Sequence, residues 1–432
     1  MRNVLKKIKK MWILILLFTA FLIIQIIALT EGLSYRGDEK NNDELYGEIY
    51  FVSNRTDKSE ELDELIDQFE KKYPKVHVKL ELIGDLEEIL VRKAAVGDLP
   101  DITLIPGNID KNEFPKYLLP IDDLGLSEDN IYNYAGGVGN DNSLYTVTTS
   151  IMWTAVIYNK NIFKSVGIDK PPESEKEFFE ICSKIKEQNI TPIALNYKQS
   201  WVMNTWINTV PYLYDYDIEE KLVNGTSDIL QEDGDMYKSL NFAKKIYENG
   251  YCEDDVLDYD WQQCKNDIIN NKIAMIIWNS DFVKQLYELG MGKDSLGVFP
   301  IPDTNIIKID SDYRFGISKN TKHPEAAKKF LKFMLEDSRY AKAVNTTSSM
   351  KNCEETKQMI SDLSRFNMPI VFQADLIPKN DIDNSIHDKY TYLKNSVGLN
   401  YSFVQNYITS DNSKEMEKSI NNRWHIHKGI KR

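Results

Sequence analysis

Aromatic residues with polar neighbours are the part of this sequence whose chemistry is easiest to interpret. Tryptophans stand in KQSWVMNTWINT, AMIIWNSD and SIMWTAV, and a tyrosine stands beside an arginine in SDYRFG. A sugar ring has an apolar face that stacks on an aromatic ring, and hydroxyls that need hydrogen-bond donors and acceptors. These mixtures favour a carbohydrate site, although a tryptophan taken singly is as often a core residue. The aromatic residues concerned are Trp153, Trp201, Trp206, Trp278 and Tyr313.

Several polar and aromatic residues directly follow short apolar runs that are typical of β-strands. In open α/β sheets, ligands bind beyond the carboxyl ends of the strands. The sequence therefore predicts a site built from residues that follow or end strands, namely Ser53, Asn54, Gly107, Asn108, Trp278 and Asn279.

Local catalytic motifs are absent from the sequence. There is no nucleophile elbow and no HExxH pattern, and Gly136, Gly137 and Gly139 lack the third glycine of a dinucleotide fingerprint. His425 and His427 lie in a polar tail, where a solvated pair is commoner than a metal site. Because 66 residues are Asp or Glu, choosing a glycosidase pair among them would be uninformative. We therefore predict a protein that is not an enzyme, with no cofactor and no metal site.

Composition and charge limit the class of partner. The chain has 432 residues, 42% of them hydrophobic and 28% charged, which is typical of a globular protein of two to three domains. The formal net charge is −13, and the first ten residues contribute five bases and no acid. The remaining 48 bases and 66 acids give −18, which argues against a nucleic-acid partner.

The N-terminal segment predicts the compartment. Residues 11–30, MWILILLFTAFLIIQIIALT, carry no charge and follow the basic cluster. A membrane-spanning helix needs about 20 apolar residues, whereas a secretory signal has an apolar stretch of about 7 to 15, so the length favours an uncleaved anchor over a signal peptide. The basic cluster then stays cytoplasmic and the rest of the chain lies outside. Residues 31–45 are polar and aperiodic, and we interpret them as a tether.

The cysteines give no disulfide framework. Cys182, Cys252, Cys264 and Cys353 are widely spaced, and none of the spacings resembles CxxC or a zinc site. Cys252 and Cys264 could pair outside the cell, but an isolated buried thiol is the commoner fate.

The hydrophobic pattern alternates between strands and helices along most of the chain. Short or alternating apolar runs predict strands, and apolar residues at helical spacing predict helices between them. This order predicts an α/β protein with sheets covered by helices, and the second set of elements predicts a second lobe. The predicted strands are 49–52, 76–82, 102–105, 155–158, 193–195, 273–277 and 298–301, and the predicted helices include 62–69, 86–94, 178–185, 236–246 and one that begins at Pro324.

The order of several segments resembles a known family. QFEKKYPKVHVKLEL, AVGDLPDITLIPGN, LLPIDDL, SLYTVTTSIMWTAVIYNKNIFKSVGIDKPP, NNKIAMIIWNS, GVFPIP and FGISKNTKHPEAAKKFLKFML follow one another as in extracellular solute-binding proteins of family 1. This is the maltose and multiple-sugar-binding type, which delivers ligands to ABC importers. The resemblance is good over residues 46 to 350 and weaker beyond, and YNKNIF followed by GIDKPP is its most specific part.

The resemblance implies a type II periplasmic-binding-protein-like fold, in which two discontinuous α/β lobes joined by hinge strands close on a sugar. Residues 1–30, the basic N-terminus and the apolar run that we interpret as one N-terminal transmembrane helix or a signal peptide, would precede this fold. The chain is expected to cross between the lobes near 150–153, 297–302 and 346–350. The N-terminal lobe would then comprise 46–151 plus 303–347, and the C-terminal lobe 152–296 plus 351–432.

The resemblance also implies which residues face the cleft. Asn54 and Arg55 follow the first strand, Trp153 lies at the first crossing, and Trp201 falls in the aromatic region of the second lobe. Asp281 stands where the family often has a tryptophan, while Trp278 comes earlier than usual. The ligand-binding residues that we predict are Asn54, Arg55, Asn108, Trp153, Trp201, Trp278, Asn279 and Tyr313.

The predicted function is capture of a sugar or oligosaccharide on the outer face of the cytoplasmic membrane, followed by delivery to the permease subunits of an ABC transporter. Relatives of this type act mostly as monomers. Gram-positive relatives carry a lipobox cysteine that this chain lacks, so anchoring by its own helix is the consistent interpretation. An ectodomain that senses sugar or docks to another membrane partner is the alternative, and a polysaccharide-active enzyme is a third hypothesis.

Overall fold

The computed structural model describes residues 45–84, 86–106, 109, 111–373 and 381–429. The predicted anchor, residues 1–30, and residues 31–44 of the predicted tether lie outside this part. Among the described residues, no helix combines the length and the apolar character needed to cross a bilayer.

Strands and helices alternate along the described chain, as the hydrophobic pattern predicts. The strands are β1 (Tyr46–Ser53), β2 (Lys75–Leu82), β3 (Ile102–Leu104), β4 (Thr146–Thr148), β5 (Ile151–Asn159), β6 (Thr191–Ala194), β7 (Ile273–Asn279), β8 (Leu296–Phe299), β9 (Ile307–Ser311), β10 (Arg314–Ile317) and β11 (Ile370–Phe372). The α-helices are α1 (Ser59–Lys72), α2 (Glu87–Ala95), α3 (Phe114–Tyr117), α4 (Lys160–Ser165), α5 (Glu175–Lys186), α6 (Val210–Tyr214), α7 (Ile218–Asn224), α8 (Asp235–Glu248), α9 (Trp261–Ile269), α10 (Asp281–Glu288), α11 (Pro324–Leu335), α12 (Arg339–Ala343), α13 (Glu354–Leu363), α14 (Asp381–Val397), α15 (Tyr401–Thr409) and α16 (Ser413–Lys428). Each predicted strand and helix is confirmed, with ends that differ by a few residues.

The first lobe is built on a mixed sheet with the strand order β2-β1-β3-β10-β4. β1 pairs in parallel with β2 and β3, whereas β10 runs antiparallel to β3 and β4. Phe51 of β1 packs against Phe315 of β10 and Phe330 of α11, with ring centroids 5.7 and 5.4 Å apart. Helix α1 buries the side chains that its 3.6-residue period places on one face, Leu62, Leu65, Ile66 and Phe69.

The second lobe is built on a sheet with the order β11-β9-β5-β7-β6, and β8 also pairs with β5. Its core joins Phe178 of α5, Trp206 and Phe242 of α8. Tyr407 and Trp424 of the C-terminal helices α15 and α16 are buried in the same core, so the end of the described chain packs on this lobe.

The chain crosses between the sheets in three segments that lie side by side. The first crossing follows β4, where Ile151 N–H donates to Thr347 O at 2.8 Å and Ser349 N–H donates to Thr149 O at 3.1 Å. The crossing that we predicted at 297–302 differs, because β9 still belongs to the second sheet: Ile151 of β5 pairs with Ser311. That crossing falls at residues 312–313, between β9 and β10.

Candidate ligand site between the lobes

Both sheets direct strand ends toward the crossings. In the first sheet, β3 ends at Leu104 opposite Phe315, just after the crossing at 312–313, and β1 runs parallel to β3. In the second sheet, β7 ends at Asn279 opposite Thr154, and β6 runs parallel to β7. The segments after β1, β3, β6 and β7 therefore meet at one edge, which is where open α/β sheets bind ligands.

Three tryptophans form a cluster at this edge on the second lobe. The ring centroid of Trp201 lies 5.3 Å from that of Trp278. The centroid of Trp261 lies 5.2 Å from that of Trp201 and 5.0 Å from that of Trp278, and all three contacts are edge-to-face. Phe282 packs edge-to-face against Trp261, with ring centroids 4.8 Å apart. Trp201 is 41% exposed, whereas Trp261 and Trp278 are only partly exposed. The cluster is thus a rigid base with one indole turned toward solvent.

Trp261 was not among the predicted ligand residues. It begins helix α9, where Asp260 caps the helix by accepting from Gln263 N–H at 2.8 Å. The backbone N–H of Trp261 donates to Gln199 Oε1 at 3.2 Å, which ties α9 to the segment of Trp201. In DYDWQQC, Trp261 stands among polar residues, which is the same pattern that predicts a ligand site at the other tryptophans.

Arg55 is the charged group that follows β1. Its Nε and Nη2 donate to the two carboxylate oxygens of Asp57 at 3.1 and 3.2 Å, and only 13% of its side chain is exposed. Burial acts to raise the pKa of Asp57, but the hydrogen bonds and charge of Arg55 outweigh it and leave that pKa below its ordinary value. Asn54, the residue before Arg55, is half-buried. This corner of the first lobe offers oriented donors and acceptors.

Two carboxyl groups, one buried and one partly buried, lie close enough to Arg55 to interact with its charge, and neither is among the predicted site residues. Asp281, the first residue of α10, is 5% exposed, and its Oδ1 has no hydrogen-bond partner among the described residues. Burial raises the pKa of Asp281 to about 7, and Lys284 and Arg55 oppose this rise while Asp312 adds to it. Burial also raises the pKa of Asp312 at the crossing. The one signal in the sequence for Asp281 is its position, where the resembled family often has a tryptophan. The sequence offers none for Asp312, because its proximity to Arg55 depends on the two sheets meeting here.

The remaining predicted residues lie in different settings. Trp153 is 3% exposed and packs against Phe366, and its backbone carbonyl accepts from Ser280 N–H at 2.8 Å. Asn279 accepts from Asp281 N–H at 3.2 Å. Tyr313 lies at a crossing and is 38% exposed. Asn108 lies outside the described residues. The structure therefore brings Trp201 and Trp278 together, and ligand contact by any of the eight residues stays a prediction.

The lobes also touch beside the crossings. Lys58 Nζ lies 2.6 Å from Glu288 Oε1, and Asn345 Nδ2 donates to the same oxygen at 2.9 Å. This contact borders a cavity of ≈ 580 Å³ whose wall is mostly charged and includes Arg339. None of the predicted ligand residues that the structure describes lines that cavity.

The described residues hold no group of three or more His, Cys, Asp or Glu side chains that could bind a metal ion. The four cysteines, Cys182, Cys252, Cys264 and Cys353, are free thiols, and burial raises the pKa of Cys252 to about 12. The described side chains at this edge offer aromatic faces, an amide and an ion pair.

Comparison with known proteins gives sequence matches over most of the two lobes. Residues 53–339 match the profile of the family described as bacterial extracellular solute-binding protein. A multiple sugar-binding protein of Streptococcus mutans is 25% identical over 305 residues, which are 66% of this chain and 70% of that protein. An uncharacterized ABC transporter extracellular-binding protein of Pyrococcus horikoshii is 29% identical over 312 residues, 66% of this chain and 67% of that protein.

Among solved structures, a binding protein of an ABC transporter from Bifidobacterium animalis subsp. lactis in complex with mannobiose is similar to this chain. The TM-score is 0.75 at 21% sequence identity, and the match covers 90% of this chain and 96% of the other. At this identity the likeness shows the fold, which is two-lobed in both.

Proposed function

Because this chain belongs to the family of bacterial extracellular solute-binding proteins, we propose that it captures an oligosaccharide between its two lobes and delivers it to an ABC importer. The observation that carries this proposal is the exposed indole of Trp201, held by Trp261 and Trp278 at the edge where the two sheets meet. An exposed aromatic ring with a fixed orientation is suited to stacking on a sugar, because it is already ordered before the ligand arrives.

The two lobes contribute different chemistry to this site. The second lobe supplies the aromatic faces, while the first lobe supplies Asn54 and the guanidinium of Arg55, which Asp57 holds in place. A ligand that touches both lobes stabilises the closed arrangement relative to the open one, so binding shifts the population of the two states. Closure is the signal that an importer would recognise.

The relatives support a sugar as the ligand class. The similar protein of Streptococcus mutans is called a multiple sugar-binding protein, and the similar structure from Bifidobacterium holds mannobiose. We propose that the sugar is released intact. We further propose that residues 11–30 anchor the protein, as a monomer, on the outer face of the cytoplasmic membrane.

Thermal-shift screening of the full-length chain in detergent, against mono- and oligosaccharides, tests the proposal. A ligand that binds only the native state raises the melting temperature. We expect a concentration-dependent rise with a subset of oligosaccharides, and chromatography should recover the sugar unchanged. No rise with any sugar would contradict the proposal, and so would a hydrolysed product.

A further inference from the structure

Two cations lie together at the cleft edge of the first sheet. Arg314 is the first residue of β10, next to the crossing at 312–313, and its carbonyl accepts from Ile105 N–H at 3.0 Å. Lys111 lies in the segment that follows β3 and is close enough to Arg314 for the two charges to interact. Both therefore lie at the carboxyl end of β3, the side of the sheet that faces the second lobe.

The guanidinium of the partly buried Arg314 has few hydrogen-bond partners to replace the water that it loses. Among the described residues, its Nη1 and Nη2 donate only to the carbonyl of Asn133, at 3.3 and 3.4 Å, both long for hydrogen bonds from a charged group. Gly136 lies against the guanidinium so closely that an added Cβ would come within 1.8 Å of Nη2. Burial lowers the pKa of Arg314 to about 10. Within the described ranges, no carboxylate lies within ion-pair distance of it.

Lys111 also lacks a described carboxylate that would compensate its charge. It is half-buried and makes no ion pair within the part of the chain that the structure describes. Burial, with a further contribution from the charge of Arg314, lowers its pKa to about 8. Two like charges removed from water repel each other and cost free energy unless an anion joins them.

Three other well-buried cations of the described chain are each paired with a carboxylate. Arg55 is paired with Asp57 at 3.1 Å, and Lys58 with Glu288 at 2.6 Å. Lys308, only 10% exposed at its side chain, lies 2.7 Å from Asp310. Lys265 and Lys394 also make no ion pair among the described residues, but each is close enough to a carboxylate to be attracted by it, Asp57 and Glu219 respectively. No described carboxylate attracts Arg314 or Lys111 in this way, so this pair requires an explanation.

We propose that Arg314 and Lys111 form a subsite for the anionic group of an acidic sugar, a carboxylate or a phosphate, within the ligand that the cleft binds. This inference rests on the proposed function and names its substrate class. The planar fork of an arginine fits a carboxylate or phosphate with two parallel hydrogen bonds, and a nearby lysine adds a point charge. The anion would supply the compensation that the described residues lack.

The subsite and the tryptophan cluster are within reach of one oligosaccharide. Arg314 pairs with Thr148, and Asn279, which follows Trp278, pairs with Thr154. Thr148 and Thr154 are six residues apart along one chain segment, which spans at most about 20 Å when extended. This bound on the separation of their strand partners is comparable to the length of an oligosaccharide of a few rings, which is the ligand size that the proposal requires.

Titration calorimetry on the full-length chain in detergent tests the subsite. The probes are trimers of galacturonate, mannuronate and guluronate, each with its carboxyl methyl ester, glucose 6-phosphate with glucose, and the neutral trimers maltotriose and mannotriose. We expect at least one acidic probe to bind tenfold or more tightly than its neutral counterpart, with the uronate and phosphate arms identifying which anion fits. Arg314→Gln and Lys111→Gln should each reduce that preference at least tenfold, while Lys116→Gln, an exposed lysine of the same segment, should keep it.

Circular dichroism melting of each variant checks that it folds. If Arg314→Gln fails to fold, Lys111→Gln still tests the subsite. Binding of neutral sugars with no preference for any acidic probe would overturn the subsite and leave the proposed function standing. A preference that survives in both variants would also overturn it. Failure of every sugar to bind would contradict the proposed function itself.

Discussion

Lys58, at the start of the first helix of the first lobe, donates from Nζ to Glu288 Oε1, at the end of α10 in the second lobe, over 2.6 Å. Lys58 is 6% exposed. Glu288 also accepts from Asn345 Nδ2 at 2.9 Å, so one carboxylate holds two groups at the junction of the lobes. This contact belongs to the arrangement of lobes seen here and contributes to its stability relative to other arrangements.

Glu288→Gln should shift the lobes away from this arrangement. The neutral amide loses the ion pair with Lys58, which is worth less than about 1 kcal/mol because water screens the partly exposed carboxylate. Small-angle X-ray scattering of the ligand-free chain should show a changed radius of gyration. Glu61→Gln is the control, because Glu61 contacts the same Lys58 Nζ at 3.1 Å but within one lobe. Equal scattering curves for Glu288→Gln and the unaltered chain would contradict the role of this contact.

Trp201→Ala should reduce oligosaccharide affinity at least tenfold, about 1.4 kcal/mol, with little change in melting temperature. The reason is that Trp201 is 41% exposed, so its removal costs stacking area for the ligand more than core packing. Titration calorimetry with the sugar found by thermal shift gives the affinity. Tyr216→Ala removes an aromatic side chain of similar exposure, 48%, outside the cluster and should leave affinity unchanged. An unaltered affinity in Trp201→Ala would remove this residue from the site.

Asp281→Asn should make the free energy of unfolding less dependent on pH. The folded-state pKa of Asp281 is raised to about 7, mainly by burial, whereas the unfolded value is about 3.9. Between these pH values the folded state holds more protons, so its stability falls as pH rises. The asparagine amide needs no proton, so the variant should equal the unaltered chain near pH 4 and exceed it near pH 8, by about 4 kcal/mol at most.

Urea unfolding at a series of pH values measures this difference. Asp57→Asn is an opposite-sign control, because Arg55 leaves the pKa of Asp57 below its ordinary value and the charged form is therefore stabilising. That variant should be less stable than the unaltered chain at pH 8 and lose this difference in acid. A parallel pH profile for Asp281→Asn and the unaltered chain would show that Asp281 does not titrate as described.

Affinity for an acidic sugar should fall as pH rises above about 8. Burial, followed by the charge of Arg314, lowers the pKa of Lys111 to about 8, so above that pH an anionic ligand must first draw a proton to Lys111. The fall is at most about tenfold per pH unit, since one proton is linked to binding. Lys111→Arg should abolish the fall, because arginine stays charged. The same fall in Lys111→Arg would assign the titration to another group.

Gly137→Ala should destabilise the first lobe by about 3 kcal/mol or more. An added Cβ at residue 137 would lie 1.8 Å from the carbonyl oxygen of Thr146, a backbone atom of β4 that cannot turn aside. Gly84→Ala is the matched control, since the nearest atom to its added Cβ is Thr56 Cγ2 at 3.8 Å, and its cost should stay within about 1 kcal/mol. The melting temperatures of the two variants, measured by thermal unfolding, test this difference. Equal melting temperatures would show that the segment around Gly137 adapts.

The sequence by itself determined the strands, the helices and the fold class, because these depend on local periodicity. Alternation in β2 and the 3.6-residue spacing in α1 follow from which faces are buried, and neighbours along the chain carry that information. The segment order also sufficed for the family. Several predicted site residues, such as Arg55 and Trp278, do lie at the edge where the sheets meet, because strand ends can be identified from sequence.

Only the tertiary structure decided which of these residues meet. Trp261 and Trp278, on the consecutive elements α9 and β7, meet Trp201 from a distant part of the chain, and no local pattern encodes that contact. The crossing expected at 297–302 moved to 312–313 because β9 pairs with β5, a long-range choice that apolar runs leave open. The isolation of Arg314 from any described carboxylate likewise depends on burial and on distant neighbours. The sequence shows which side chains are charged or polar, but whether a buried charge has a partner of opposite sign depends on packing in three dimensions.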